Sequence, residues 1–387
     1  MRFSFAVFLR SFRSAKSLLA YSLLYLLLAQ IEVIGLHRLQ SVENQLSDWM
    51  MRQQAQDLRP DPEIVIVSID DASLARMQDV AGNWPWPRSV HGELILGISR
   101  QNPKAIVFDM TFEQPDVYRP ESDHLLNQAL EGTHNVYFPI VRRPAVQDAA
   151  GPPVKAIASL VGLIPTPQAD PNAHIALSGP LAIEPRFWRT GTINFSEDPD
   201  GVGRRYALYT PAYGWLIPSL PARIARDLGY AVPQQPDMQL AWRGNKNAFT
   251  TISYADLYED FSREKPLREQ NEFSGKIVII GSDATGLHDL RMTPIDSVYP
   301  GQEILATAID NLKNQRMLKA APLWLAPLLT LLLLVLLFLA FARSVNVLLS
   351  GVALLLFTLA SLGASYYALM ELWLVPLLVP LIVAFRG

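Results

Sequence analysis

The chain has 387 residues, half of them hydrophobic and 18% charged, with a net charge of −3 and no cysteine. A charge this close to balance gives no support for nucleic-acid binding, and the lack of cysteine excludes disulfides, thiolate nucleophiles and cysteine-held zinc. The apolar residues are unevenly spread: they collect at 18–36 and 322–385, leaving a middle stretch with scattered charge, turns and short apolar runs.

In chain order, Arg2, Arg10, Arg13 and Lys16 come first, followed by SLLAYSLLYLLLAQIEVIGL at 17–36. That run reaches the roughly 20 residues a spanning helix needs. The basic start resembles a signal-peptide n-region, but no small-x-small cleavage site follows. Residues 1–16 are therefore expected in the cytoplasm, with 17–36 as an uncleaved anchor. PEIVIVSID (62–70) reads as a buried strand ending at Asp70 and Asp71. GNWPWPR (82–88) follows. Its Pro85 and Pro87 fix φ and hold Trp84 and Trp86 extended, a stiff aromatic ribbon. Pro87 suits a first helical turn, and Val90, Leu94, Ile95 and Ile98 continue at helical spacing until Pro103. KAIVFDM (104–110) is a second buried strand, ending near Asp109. Strand, helix and strand this close together form a βαβ unit with parallel strands and a right-handed crossover.

Residues 144–173, rich in Pro, Ala and Gly, read as a long surface loop. TINFS (192–196) and RRYALYTP (204–211) read as strands around a turn at Asp200–Gly201. PSLPARIARDLGY reads as a helix with Gly229 as C-cap, and QLAWRG with FTTIS as another short strand pair. GKIVIIGSDA (275–284) is a third buried strand, and 302–313 the helix after it, leading toward the next apolar segment. Spans are expected at 322–342 and 347–368, then a third apolar run at 372–385, shorter than a usual span. With the N-terminus inside, Arg343 and Arg386 fall on the cytoplasmic side and Glu371 outside; Arg316 and Lys319 are the exceptions. The fold class expected is thus an α/β extracytoplasmic domain (37–320) with a mainly parallel central sheet, flanked by one N-terminal and three C-terminal transmembrane helices (the latter within 321–387). The brevity of the last run favours a sensor portion of a longer protein over a chain served by a separate effector.

IDDASL (69–74), GNWPWPR (82–88), AIVFDMTF (105–112), DPDGVGRRYAL (198–208), PSLPARIAR (218–226) and the stretch 275–312 together resemble the class-two CHASE domain, a cyclase- and histidine-kinase-associated sensory extracellular domain. The resemblance spans roughly residues 60–312. It implies a bacterial receptor in the inner membrane, sensing outside and feeding a nucleotide cyclase, such as an adenylate cyclase, or a protein kinase. No catalytic motif of those enzymes occurs in this chain, so the output is expected elsewhere in the full protein.

Ligands of open α/β sheets favour the C-terminal ends of parallel strands. Those ends carry Asp70, Asp71, Asp109, Ser282 and Asp283, with Asp289 in the next loop. They are candidates for a cation or polar ligand, against the plainer reading that aspartates cap helices there. Arg88 is expected to pair with one of them or to meet an anion. Trp84 and Trp86 either line a pocket or wedge the loop on the sheet. Pro85, Pro87, Gly281, Thr293, Pro294, Gly301 and Glu303 are signature positions with structural roles. The six histidines are dispersed, so no metal and no cofactor is expected, and only His288 beside Asp289 suggests a hydrolytic pair. The leading expectation is a sensory module, a homodimer in the lipid bilayer that meets an extracytoplasmic ligand or protein. An envelope scaffold is the alternative, and a hydrolase the third.

Overall fold

In the computed structural model the described residues are 40–287, 289–322, 324–343 and 346–375, together with Leu24, Leu27 and Ile31. Residues 1–16, most of the anchor 17–36, His288, the larger part of the third apolar run and Arg386 lie outside them.

The three buried strands expected at 62–70, 104–110 and 275–284 become neighbours. The central sheet holds β1 (Ile64–Ile69), β2 (Ala105–Phe108), β3 (Val136–Arg142), β4 (Leu177–Ser178), β5 (Thr190–Thr192), β6 (Thr250–Ser253) and β7 (Ile277–Ser282). Their order is β6–β1–β7–β2–β3–β4, with β5 also on β3. Every pairing is parallel except β3 with β4. β7, from far along the chain, enters between β1 and β2, with Ile277 opposite both Ile64 and Ala105. The first βαβ crossover therefore leaves a gap that the last strand fills. Burial on both faces explains why these strands are unbroken apolar runs.

The helices are α1 (Gln40–Ala55), α2 (Asp71–Arg76), α3 (Arg88–Ser99), α4 (Pro120–Leu130), α5 (Val154–Val161), α6 (Leu220–Asp227), α7 (Tyr254–Phe261), α8 (Gly301–Asn314), α9 (Leu325–Ala342) and α10 (Val347–Met370). Alternation along the strands splits their side chains between two faces. Val65, Val67, Ile69, Ile106, Phe108, Val278 and Ile280 share one core with Leu94, Ile95 and Ile98 of α3 and Leu126 and Leu130 of α4. On the other side α8 packs against β1 and β7, and α6 against α8. Ser219 caps α6 by accepting from the Ala222 amide. Gly229, at φ +79°, ends it: its amide donates to Arg226 and that of Tyr230 to Ala225, a Schellman closure.

Several expectations change. Residues 144–173 are not a surface loop: they contain a 3-10 turn (Ala145–Ala150), α5 and a short strand (Ile164–Pro165). Val154, Ile157 and Val161 recur at helical spacing and build a second small core with Ile140, Ile175 and Ile217. TINFS and RRYALYTP do not pair with each other. Only Thr192 of the first falls in a strand, at the end of β5 in the main sheet, and Arg205–Ala207 pairs with Asp237–Gln239. FTTIS supplies β6, an edge strand beside β1, rather than a partner for QLAWRG. Pro87 stands at the N-cap of α3, one place before the first turn. The third apolar run begins with a short strand, Trp373–Leu374, paired with Lys319–Ala320, and not with a helix.

The chain divides into two compact units: Ala55–Met317, and a second joining the described residues up to Gln54 with those from Leu318 onward. In the second, α10 carries one stretch long and apolar enough to cross a membrane, Leu348–Met370, while the apolar part of α9, Leu325–Ala340, is shorter.

Candidate functional site

At the end of β1 the aspartates are consumed by local structure. Asp70 caps α2, accepting from the Ser73 amide at 2.6 Å, and also accepts from Ser253 Oγ at 3.2 Å. Asp71 takes the Thr285 amide at 3.0 Å and its hydroxyl at 2.8 Å. Asp283 accepts from Ser68 Oγ at 2.7 Å, and Ser68 in turn accepts from Gln302 Nε2 at 2.9 Å. These bonds pin the strand-end loops and the first turn of α8 to the sheet. Gly281 permits that approach: a Cβ there would stand 2.7 Å from the Cβ of Gln302.

The end of β2 differs. Asp109 and Asp289 line a cavity of about 80 Å3 with Tyr206, Phe195, Ile193, Arg291 and the α8 residues Gly301, Ile304 and Leu305. Burial raises the Asp109 pKa well above the ordinary carboxylate range, and the Asp289 charge adds to it. Burial and the same two carboxylates also raise Tyr206. Arg291 leans toward Asp289 at 3.5 Å and toward Glu197 at 3.9 Å. Gly301 lets Asp289 approach closely: its Oδ2 lies 2.0 Å from where a Cβ would be, so a side chain there would push the Asp289 carboxylate aside. Of the strand-end aspartates only Asp109 joins Asp289 here. Among the described residues no group of histidines and carboxylates could hold a metal ion.

The aromatic ribbon forms a second space. A cleft of about 340 Å3 lies between Trp84–Arg88 and the loop that follows β2, lined by His91, Met110, Thr111, Phe112 and Gln114–Arg119. Trp86 is buried, with its ring edge-on to Trp84 at 5.0 Å and 5.1 Å from that of Tyr254. The Trp84–Pro85 peptide is cis, and Trp84 is half-buried. His91, buried beneath them, pairs its Nδ1 with the Tyr254 hydroxyl at 3.0 Å. Burial, helped by the Arg88 charge, pushes His91 down to about 3, so it is neutral. Arg88 does not reach the strand-end aspartates. It meets Asp123 of α4 at 3.1 Å and donates to the Gln114 carbonyl at 2.6 Å, tying the ribbon to the following loop.

The remaining signature positions shape the approach to α8. Thr293 closes a turn on Asp296, its amide and hydroxyl both donating to that carbonyl. Glu303 is buried in the first turn of α8; burial raises it to about 7, partly offset by the Asn247 amide and the Tyr299 hydroxyl. Arg204 of DPDGVGRR, also buried, holds Asp198 and Asp200, each at 2.8 Å. Sequence reading missed His91, Asp123, Tyr206 and Arg291. His91 alone carried a local signal, one turn after Arg88 on the helix face that includes Leu94 and Ile95.

One strand end thus borders two spaces, with Asp109 in the inner cavity and Met110–Phe112 along the cleft. The CHASE2 domain profile matches residues 21–342, most of the chain. The chain belongs to the CHASE2 domain family. This is a family of extracellular sensory domains of signalling receptors, and in this CHASE2 chain the WPWPR ribbon forms a wall of the larger space. No curated protein and no solved structure matches the chain.

Proposed function

We propose that this chain is the sensory portion of a multi-pass receptor of the bacterial inner membrane. The N-terminus lies in the cytoplasm, the run 17–36 is an anchor, and residues 37–320 face outward. The region 321–387 supplies three spans and leads to a cyclase or kinase output elsewhere in the full protein. Leu348–Met370 supports the membrane assignment, since its mean hydropathy is 2.0 and only 6% of that stretch is buried. Gly351 and Gly363 on α10 have open space where a Cβ would be, which suits close packing of helices in a homodimer.

The observation that carries the sensory reading is the shared strand end. A ligand in the ribbon cleft bears on Met110–Phe112, and Asp109 beside them faces Gly301, Ile304 and Leu305 of α8. Three residues separate the end of α8, at Asn314, from Leu318, where the chain enters the second unit. A stimulus acts by favouring one arrangement of this end over another.

The chain has no native cysteine, which makes labelling clean. In spheroplasts, a membrane-impermeant maleimide is expected to label Val117→Cys, an exposed position (79%) on the cleft rim. It should reach Arg343→Cys, between α9 and α10, only after permeabilisation. Equal labelling of both, or the reverse order, would contradict this topology.

A further inference from the structure

The charged groups around the ribbon cleft are closed on one another. Arg88 is held by Asp123, and Arg119 by Asp116 at 2.9 Å. Asp116 also accepts the Tyr118 and Arg119 amides, and Arg119 with these bonds keeps its carboxyl below the ordinary range despite the opposing effect of burial. His91 is neutral. The cleft therefore offers no spare charge. An anionic ligand would have to compete with Asp123 for Arg88 and with Asp116 for Arg119.

The groups left over are of a different kind. Among the described residues, Thr111 Oγ, the Gln114 side-chain amide and the Tyr118 hydroxyl have no hydrogen-bond partner. All three residues are exposed, Tyr118 at 93%. Hydroxyls and amides both donate and accept. Beside them stand flat aromatic faces, the half-buried Trp84 and the Tyr118 ring. The volume lies within the range of small-molecule sites, about 300–1,000 Å3.

Neutral hydrogen-bonding groups, stacking faces and no free charge match an uncharged ring with an apolar face and a hydroxyl edge. We infer that the ribbon cleft binds a small neutral saccharide. This deepens the sensory reading and rests on it for the claim that the cleft is where the stimulus enters. Binding itself is independent of topology.

The test uses the full chain in lipid nanodiscs, free of glycosidic detergent. A panel of neutral mono- and disaccharides is followed by saturation-transfer NMR and calorimetry, with acetate and L-tryptophan as charged and zwitterionic probes. At least one neutral sugar is expected to bind saturably, while acetate and L-tryptophan do not. Trp84→Ala should weaken binding about tenfold or more. Because that variant also touches packing, Tyr118→Ala and Thr111→Val serve beside it: both sites are exposed, and each should weaken binding several-fold with an unchanged unfolding midpoint. No binding by any sugar in the panel, binding that all three variants leave intact, or preferential binding of L-tryptophan or acetate would overturn the inference. Failure of the receptor reading would appear instead as wrong-sided maleimide labelling, which the sugar titration does not affect.

Discussion

The two spaces on either side of the end of β2 are built on opposite principles. In the ribbon cleft each guanidinium has a carboxylate, and the buried imidazole is neutral. In the inner cavity Asp109 is half-buried with Asp289 as its charged neighbour, and the cation lining the cavity, Arg291, leans on Asp289. The same row of strand ends thus yields aspartates used in local hydrogen bonds at β1 and an acid with a raised pKa at β2. What decides is whether a backbone amide or hydroxyl is within reach: Asp70, Asp71 and Asp283 have one, and burial acts on Asp109 unopposed. Proton linkage should therefore carry opposite signs on the two sides.

The largest effect is expected on the cleft side, in packing. Trp86→Ala removes a buried ring that touches Trp84, His91 and Tyr254. A loss of about 3–5 kcal/mol is expected from truncating a buried aromatic, read by urea unfolding of the full chain in nanodiscs with near-UV circular dichroism. A loss below about 1 kcal/mol would mean that the ribbon does not fasten the loop to the sheet.

Next comes the acid side of the comparison. His91 has its folded pKa depressed to about 3 from an ordinary 6.5. Between these values the unfolded chain holds the extra proton. The stability this group contributes is present above about pH 6.5 and is lost as pH falls toward 3, by up to about 1.4 kcal/mol per pH unit. His91→Phe should lose less stability than wild type between pH 6.5 and 4. Parallel curves would place His91 in a wetter setting than the structure shows.

Asp109 should behave in the reverse sense. Its folded pKa is raised, so its contribution is present below the ordinary value of 3.8 and is lost as pH rises through the folded value. Asp109→Asn should therefore gain on wild type as pH rises from 4 to 8, again by no more than about 1.4 kcal/mol per unit. A variant that instead falls behind wild type over that range would show that Asp109 is paired while charged, and the contrast between the two spaces would be gone.

The sequence was most legible where local rules and tertiary demands agree. β1, β2 and β7 are apolar runs ended by turn residues, and α3 and α8 keep helical spacing, so the parallel core and its closing helix could be read directly. β3 was obscured by Pro139 in its middle, a residue that argues against a central strand. There Pro139 stands opposite Gly191 of β5, and the neighbouring Phe138 amide is satisfied by the Arg189 carbonyl. The 144–173 segment was hidden by its Pro, Ala and Gly content, although Val154, Ile157 and Val161 sit at helical spacing. The ribbon announced itself, but its electrostatic partner did not. Asp123 lies 35 residues beyond Arg88 on a helix that sequence reading had not recognised. The Asp109–Asp289 meeting depends on β7 inserting beside β2, a long-range pairing that no local pattern encodes.

The central claim is that the cleft and α8 communicate through residues 109–112. Hydrogen–deuterium exchange on the full chain in nanodiscs tests it most directly, comparing wild type with Trp84→Ala and with Asp109→Asn. The account predicts reciprocal effects, as coupling requires: Trp84→Ala alters exchange in residues 301–305, and Asp109→Asn alters it in 82–88 and 111–119. Changes confined to 82–119 for the first variant and to the inner cavity for the second would show two independent spaces, and the proposed route from stimulus to membrane would fail.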